Sequence, residues 1–169
     1  MNAQVSTEAI RVLRERTGAG IMDCKRALEG AGGDVTRAEA ALKAKGLSRA
    51  AAKASRTTSE GVIDAYVHAG SRIAAMVELN CETDFVARTS EFKELAHNLA
   101  MQVAAMAPVY VDEEHVPPEE TRSHEEVVLL KQSFIRDPSK TIGDLVMEVR
   151  ARTGENIRVR RFTRFGLGE

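Results

Sequence analysis

The sequence contains no tryptophan and few aromatic side chains of any kind. Aromatic residues make up 4% of its 169 residues, hydrophobic residues as a whole make up 43%, and alanine alone occurs 24 times. A core of this composition must be aliphatic, with many positions that favour helix. The length fits one ordinary domain or two small ones and needs no disulfide to stabilise it.

The sequence also has few cysteines, no long apolar run and almost no net charge. The two cysteines, Cys24 and Cys81, belong to no metal-binding motif, and no apolar run reaches the roughly 20 residues that span a bilayer. Segment 1–8 lacks the lysine and arginine of a targeting peptide. The net charge of −1 argues against bulk nucleic-acid binding. We therefore expect a cytoplasmic protein without a cofactor, a metal site, a membrane anchor or a direct nucleic-acid partner.

The low net charge conceals two oppositely charged segments. Segment 40–59 contains five bases and no acid, whereas segment 112–126 contains seven acids and one base. Solvated surface is the simplest interpretation of both. The basic segment also permits a second hypothesis, a passive module for RNA or the ribosome. Its binding to RNA would weaken steeply as the salt concentration rises.

Three short helices are predicted within residues 1–47. Ser6 is a helix cap before an apolar stripe, and Gly18 stands where that first helix must stop. The second helix is predicted over Ile21–Glu29, and the third ends at Gly46. Spacing of i, i+3 and i+7 places three side chains of the second helix in the core: Ile21, Cys24 and Leu28.

Residues 48–59 are predicted to form a basic linker, after which the apolar period changes from 3.6 to 2. Alternation then indicates a β-hairpin with one solvent-exposed side. The apolar row of its first strand is Ile63, Ala65 and Val67, and that of its second strand runs from Ile73 to Cys81.

The remaining elements of residues 60–169 alternate between helix and strand. A long helix is predicted from a cap at Ser90 to a limit at Pro108, and another helix around 125–134. Asp137-Pro138 is predicted to turn the chain. A capping box at Thr141–Asp144 then opens a helix, and Ile157–Phe165 is predicted as a strand. Strands grouped apart from helices indicate an α+β fold with a small antiparallel sheet.

Catalytic motifs are not apparent in the sequence. It has no phosphate-binding loop of the GxxxxGK[ST] type, and its four histidines are scattered. A cysteine-based enzyme around Cys81 is a third hypothesis, but Cys81 falls on the apolar face of its strand, where a buried thiol is ordinary.

The segment 83–86 is unusual for a strand-to-helix turn. Such turns are polar as a rule, yet Phe85 and Val86 stand here beside the carboxylate of Asp84. Two interpretations of Phe85 remain open at this point. The ring either folds back into its own core or forms an exposed anchor for a partner.

Three segments resemble the bacterial elongation factor Ts family. Residues 13–28 (LRERTGAGIMDCKRAL) are similar to its N-terminal signature, and residues 80–87 (NCETDFVA) to its second signature. Residues 138–143 (PSKTIG) resemble a segment near its C-terminal end. The resemblance runs over essentially the whole chain, in the order of the family.

The resemblance implies a guanine-nucleotide exchange factor for elongation factor Tu, which is not an enzyme, with a ubiquitin-associated-like three-helix domain at its N-terminus. One implied contact set enters the partner's GTPase domain and displaces Mg²⁺: Thr83, Asp84, Phe85 and Val86. A second implied set packs on another face of the same domain: Arg14, Thr17, Gly18, Met22 and Asp23. Met22 and Asp23 are the stronger candidates for contact, because they point away from the predicted core face of their helix.

Long members of that family carry two copies of the core, whereas this chain holds one such unit. Short members compensate by dimerising. The resemblance therefore implies that residues 60–169 form a core and dimerisation domain of a homodimer, with Ile157–Phe165 or the apolar faces around it as the contact.

Overall fold

The computed structural model describes residues 5–169, in which helices and a small antiparallel sheet confirm the α+β prediction. The helices in this range are α1 (Thr7–Thr17), α2 (Ile21–Gly30), α3 (Val35–Ala52), α4 (Asp84–Ala87), α5 (Ser90–Met106), α6 (His124–Val127) and α7 (Ile142–Thr153). The strands are β1 (Glu60–Val67), β2 (Ile73–Cys81), β3 (Ser133–Phe134), β4 (Asp137–Thr141) and β5 (Ile157–Gly166).

Helices α1 to α3 pack around a small aliphatic core of their own. The Ser6 hydroxyl accepts a hydrogen bond from the Ala9 amide at 3.1 Å, and Gly18 ends α1 with a φ of 66°. Both predictions are confirmed. The predicted burial of Ile21 is wrong, since its side chain is 55% exposed. Side chains on a helix tilt toward its N-terminus, so Ile21, the first residue of α2, points beyond the bundle.

Gly46 does not stop α3 as predicted, because the helix continues to Ala52. Helix α3 packs against α7 at this position, where a Cβ atom on Gly46 would lie only 3.1 Å from the Ala151 Cβ. The glycine therefore permits close approach of two helices. Helix α3 crosses the predicted boundary at residue 47 and takes in the first part of the predicted linker.

Strands β1, β2 and β5 form one antiparallel sheet with β2 in the centre. The hairpin between β1 and β2 turns at Gly70, which has a φ of 87°. The row of β2 predicted to be apolar faces the core, with four buried side chains: Ala75, Val77, Leu79 and Cys81.

Strand β1 faces the opposite way from the prediction. Pairing with β2 places Val62 opposite Leu79 and Tyr66 opposite Ala75, so the more polar row of β1 lies toward the core. Ile63, with the rest of its apolar row, is exposed on the outer face. The register with the strongly apolar β2 decides which face of β1 is buried.

Helices α5 and α7 cover the inner face of the sheet. Thr89, one residue before the predicted Ser90, caps α5. The helix buries one apolar stripe, formed by Phe92, Leu95, Ala96, Leu99 and Val103. The predicted capping box between Thr141 and Asp144 opens α7, and Gly154 ends it with a φ of 72°. These capped ends fix where α7 stops and β5 begins.

The predicted helix over 125–134 is wrong. Helix α6 makes one turn, a 3₁₀ turn follows over Leu129–Lys131, and β3 begins at Ser133. The amide of Leu129 donates to the carbonyl of Tyr110 at 2.8 Å, so tertiary pairing replaces the helical hydrogen bond. The chain turns at 135–136, since Asp137 already belongs to β4.

None of the helices within residues 5–169 is long and apolar enough to cross a membrane.

Candidate partner-binding site

The chain leaves β2 at Cys81 and turns into α4, which presents Phe85 to solvent. Residues 83–86 are called the tip. Ala87 is buried and Val86 packs against the core, whereas Phe85 is 79% exposed, more than any other large hydrophobic side chain described in the structure. The ring of Phe85 is therefore not folded back into its own core, and its role as an anchor for a partner stays a prediction.

Asp84 adds a carboxylate beside the exposed ring. Its side chain is partly exposed and forms an ion pair with Arg88 at 2.7 Å, one helical turn later. An exposed pair of this kind contributes little to stability. The tip thus combines an apolar ring and a charged group, both accessible to a partner.

The base of the tip is held by the turn between α7 and β5. The Glu155 carboxylate accepts hydrogen bonds from the amides of Glu82 and Thr83, each at 3.1 Å, and from the Thr83 hydroxyl at 2.6 Å. The Asn156 amide donates to the Glu82 carboxylate at 2.6 Å, and this bond is the main cause that lowers the pKa of Glu82. Sequence reasoning missed both Glu155 and Asn156, which lie more than 70 positions from their partners.

The N-terminal candidate residues lie around the end of α1 and the start of α2. Met22 is 60% exposed beside Ile21, which makes a small apolar pair at the surface. Arg14 is exposed on α1. Asp23 is half-buried and forms ion pairs with Lys45 at 3.0 Å and Arg26 at 2.9 Å. Hydrogen bonds from Lys45 and then Arg26 lower the pKa of Asp23.

Thr17 and Gly18 shape the turn that separates α1 from α2. The Thr17 hydroxyl donates to the Leu13 carbonyl at 2.7 Å and accepts from the Ala19 amide at 3.3 Å. Gly18 donates its amide to the carbonyl of Arg14 at 2.8 Å in the left-handed conformation. The N-terminal candidates are thus grouped together on the N-terminal unit, formed by α1 to α3. The tip belongs to the second unit, which is built on the sheet of β1, β2 and β5.

Cys81 is buried directly below the tip. Its thiol lies 3.1 Å from the Thr83 carbonyl, and burial, followed by the charge of Glu155, raises the pKa of the thiol to about 11. The thiol is therefore protonated at neutral pH, which is the wrong state for a nucleophile. This environment does not favour the hypothesis of a cysteine-based enzyme.

Three of the bases in segment 40–59 have contacts with groups in the rest of the chain. Lys43 pairs with Glu148 at 3.3 Å, Arg56 pairs with Glu82 at 3.4 Å, and Lys53 donates to the carbonyl of Gly154. Such compensated charges offer little to a phosphate backbone. The RNA-binding hypothesis therefore loses its main support among the described side chains.

A cleft of about 430 Å³ lies where α3 meets the turn between α1 and α2 and the end of α7. Glu148 stands in its wall between Lys43 and Lys140. Burial alone would raise the pKa of Glu148, but the hydrogen bonds from Lys140 and Lys43 outweigh burial and lower it. The cleft is thus a polar, ion-paired seam between the two units.

Metal-binding clusters of three or more histidine, cysteine or acidic side chains do not occur among the described residues. An exposed aromatic ring on a one-turn helix that is held from below is a feature typical of proteins that act by contact with a macromolecular partner, because aromatic side chains are enriched at protein interfaces.

Comparison with known proteins agrees with that class. A family model described as "Elongation factor TS" matches residues 46–127. The elongation factor Ts of Thermotoga petrophila is 49% identical over 194 aligned positions, which cover 98% of this chain and 98% of that protein. The relative from Carboxydothermus hydrogenoformans is 46% identical, over 98% of this chain and 90% of its own. The relative from Coprothermobacter proteolyticus is 45% identical, over 98% of this chain and 100% of that protein.

With identity at this level along nearly its whole length, the chain belongs to the elongation factor Ts family. The stretch of 194 aligned positions exceeds the 169 residues of this chain, so the Thermotoga relative contains insertions relative to it.

Proposed function

We propose that this chain is a cytoplasmic guanine-nucleotide exchange factor that promotes the release of GDP from elongation factor Tu during translation elongation. The observation that carries the proposal is the ring of Phe85, 79% exposed at the tip of a chain of this family. Exposed aromatic anchors of this kind are typical of surfaces that a partner covers.

An exchange factor of this kind needs no catalytic group. It accelerates release by binding the nucleotide-free partner more tightly than the nucleotide-bound partner. The coupling between the two binding events is reciprocal. The chain therefore lowers the affinity of the partner for GDP by the same ratio by which GDP lowers the affinity of the partner for the chain. The chain therefore undergoes no proton transfer and no covalent step.

The tip supplies the part of this affinity that distinguishes the two states of the partner. Phe85 enters between helices of the GTPase domain near the nucleotide, with Asp84 beside it, and the resulting shift displaces the Mg²⁺ that holds phosphate oxygens. Thr83 and Val86 support α4, which carries the ring, since Thr83 caps this helix and Val86 packs against the core.

The surface around the start of α2 supplies a second contact with the same domain. Met22 and Ile21 offer exposed apolar area, and Arg14 offers charge at its edge. Asp23 contributes by holding Lys45 and Arg26 beside this area. Thr17 and Gly18 act through the shape of the turn that presents this surface.

The chain acts as a homodimer through the outer face of its sheet. This face carries the ion pair of Glu78 and Arg161 and presents exposed apolar side chains from all three strands: Ile63, Val67, Met76 and Phe165. The helices cover only the inner face of the sheet, so the apolar side chains of the outer face remain in contact with water. The same face of a second copy would cover them symmetrically.

Complex formation with elongation factor Tu tests the proposed exchange function. We expect the chain to co-elute with nucleotide-free elongation factor Tu in size-exclusion chromatography and the complex to dissociate when GDP and Mg²⁺ are added. Reciprocal coupling of about two orders of magnitude is sufficient for this result. A complex equally stable with and without GDP would contradict the proposal.

A further inference from the structure

The turn between α7 and β5 makes several hydrogen bonds to the base of the tip. From this geometry we propose that Glu155 is a positioning residue for the tip. It fixes Thr83 so that α4 carries Phe85 at one backbone position, and it thereby sets the rate of nucleotide release once the partner is bound. The inference rests on the proposed exchange function.

Glu155 holds three donors of the tip base with one carboxylate. Its Oε2 accepts the amides of Glu82 and Thr83, and its Oε1 accepts the Thr83 hydroxyl. Hydrogen bonds to a charged acceptor are stronger than neutral ones. Because the Thr83 hydroxyl donates to Glu155, its lone pairs remain for the Val86 amide at 3.5 Å, so Glu155 orients the cap of α4.

Helix α4 depends on this support because it is only one turn long. Its backbone bonds begin at the tip base, with the Ala87 amide on the Thr83 carbonyl at 3.3 Å. A single turn does not form without tertiary contacts. The ring of Phe85 has almost no packing of its own in the free protein, so only the backbone that carries it is fixed, through the Thr83 cap of α4.

The turn that carries Glu155 is itself fixed. The side-chain amide of Asn156 donates to the carbonyls of Ala54 and Arg56 at 2.9 and 2.7 Å, and its backbone amide donates to Glu82. Asn156 is fully buried. The tip base is therefore tied both to the sheet and to the segment that follows α3, which connects the tip to the N-terminal unit.

Loss of the Glu155 carboxylate should affect the nucleotide-release step more than docking. The N-terminal surface still contacts the partner, so the factor concentration that gives half the maximal rate should change by less than about threefold. A loosely held tip is inserted in fewer of the bound complexes. The maximal rate of GDP release should therefore fall by about tenfold, as expected for loss of charge-assisted hydrogen bonds.

The experiment compares Glu155→Ala, Glu155→Gln and a matched control. Glutamine retains a carbonyl oxygen for the two amides, and its NH₂ group can donate to the Thr83 hydroxyl. The control is Gln102→Ala, which also removes three hydrogen bonds, to Gln132, Ser133 and Ile135. Gln102 lies about 18 Å along α5 from the first residue of that helix.

Two readouts are measured on the full-length chain. Stopped-flow release of a fluorescent GDP analogue from elongation factor Tu gives the maximal rate and the half-saturating concentration. Hydrogen exchange of segment 82–88 in the free chain should be about tenfold faster in Glu155→Ala and within about threefold of the parent in the other two variants.

Each outcome decides one point. A Glu155→Ala variant with the maximal rate of the parent, or with no more loss than Gln102→Ala, overturns the positioning role even if Phe85 proves essential. A Glu155→Gln variant as impaired as Glu155→Ala also contradicts it. A parent chain without any effect on GDP release overturns the exchange function, and hydrogen exchange then still decides whether Glu155 fixes the tip.

Discussion

Replacing Phe85 by alanine is expected to slow factor-stimulated GDP release by about 30-fold or more. Burial of a phenylalanine side chain at the centre of an interface is worth about 2 kcal/mol or more, and 1.4 kcal/mol corresponds to tenfold. The loss should appear in the stopped-flow rate at saturating factor. Asp84→Ala is expected to give an intermediate loss, because it removes charge beside the ring and leaves the ring in place.

The stability of Phe85→Ala separates a lost contact from a damaged fold. Since the ring is 79% exposed, the free energy of unfolding should change by less than about 0.5 kcal/mol. A matched control is Met106→Ala, which truncates another exposed apolar side chain at the last residue of α5, about 25 Å along that helix from its first residue. This variant should exchange nucleotide as the parent does. A Phe85→Ala variant with parental activity would show that the ring is not the anchor.

Replacing Met76 by glutamate is expected to convert the protein from dimer to monomer. Met76 lies at the centre of the outer sheet face, between Ala65 and Thr163 on the neighbouring strands. In a two-fold symmetric contact each copy would bury the new carboxylate, at a cost of about 3 kcal/mol or more, which weakens association by about 100-fold. Light scattering after size-exclusion chromatography should give twice the 18.4 kDa chain mass for the parent and the chain mass for the variant.

The control for the dimer experiment places the same charge elsewhere in the same unit. Ile135 is exposed in the turn between β3 and β4, so Ile135→Glu should leave the mass of the parent unchanged. A parent that is monomeric at all concentrations would contradict the dimer. A Met76→Glu variant that remains dimeric would place the contact on another face.

The sequence predicted the elements whose signals are local. Helix caps at Ser6 and Thr141, and the stop at Gly18, depend on residues within three or four positions of the groups that they satisfy. The unusual place of Phe85 was visible for the same reason, because a strand-to-helix turn has a local composition that a phenylalanine departs from.

The apolar alternation of β1 predicted the wrong buried face for this strand. The row that contains Ile63 and Val67 is more apolar than the row of Asp64 and Tyr66, yet it lies outside, because β1 takes its register from β2. Ile21 is a similar case in the N-terminal unit. In both places the exposed apolar residue lies on a surface that we propose a partner covers.

Contacts between distant segments gave no sequence signal at all. The bond between Glu155 and Thr83 joins residues 72 positions apart, and no periodic pattern connects a carboxylate after one helix with a threonine before another. The close approach of α3 and α7 at Gly46 was likewise misread as a helix stop, since a glycine has the same sequence signature in both roles.

The exchange function is tested most directly by release of a fluorescent GDP analogue from elongation factor Tu, mixed in a stopped-flow instrument with excess unlabelled GDP and increasing amounts of the chain. We expect the release rate to rise with the concentration of the chain and to saturate at a value at least about tenfold above the spontaneous rate. A release rate that stays at its spontaneous value at every concentration of the chain would contradict the exchange function.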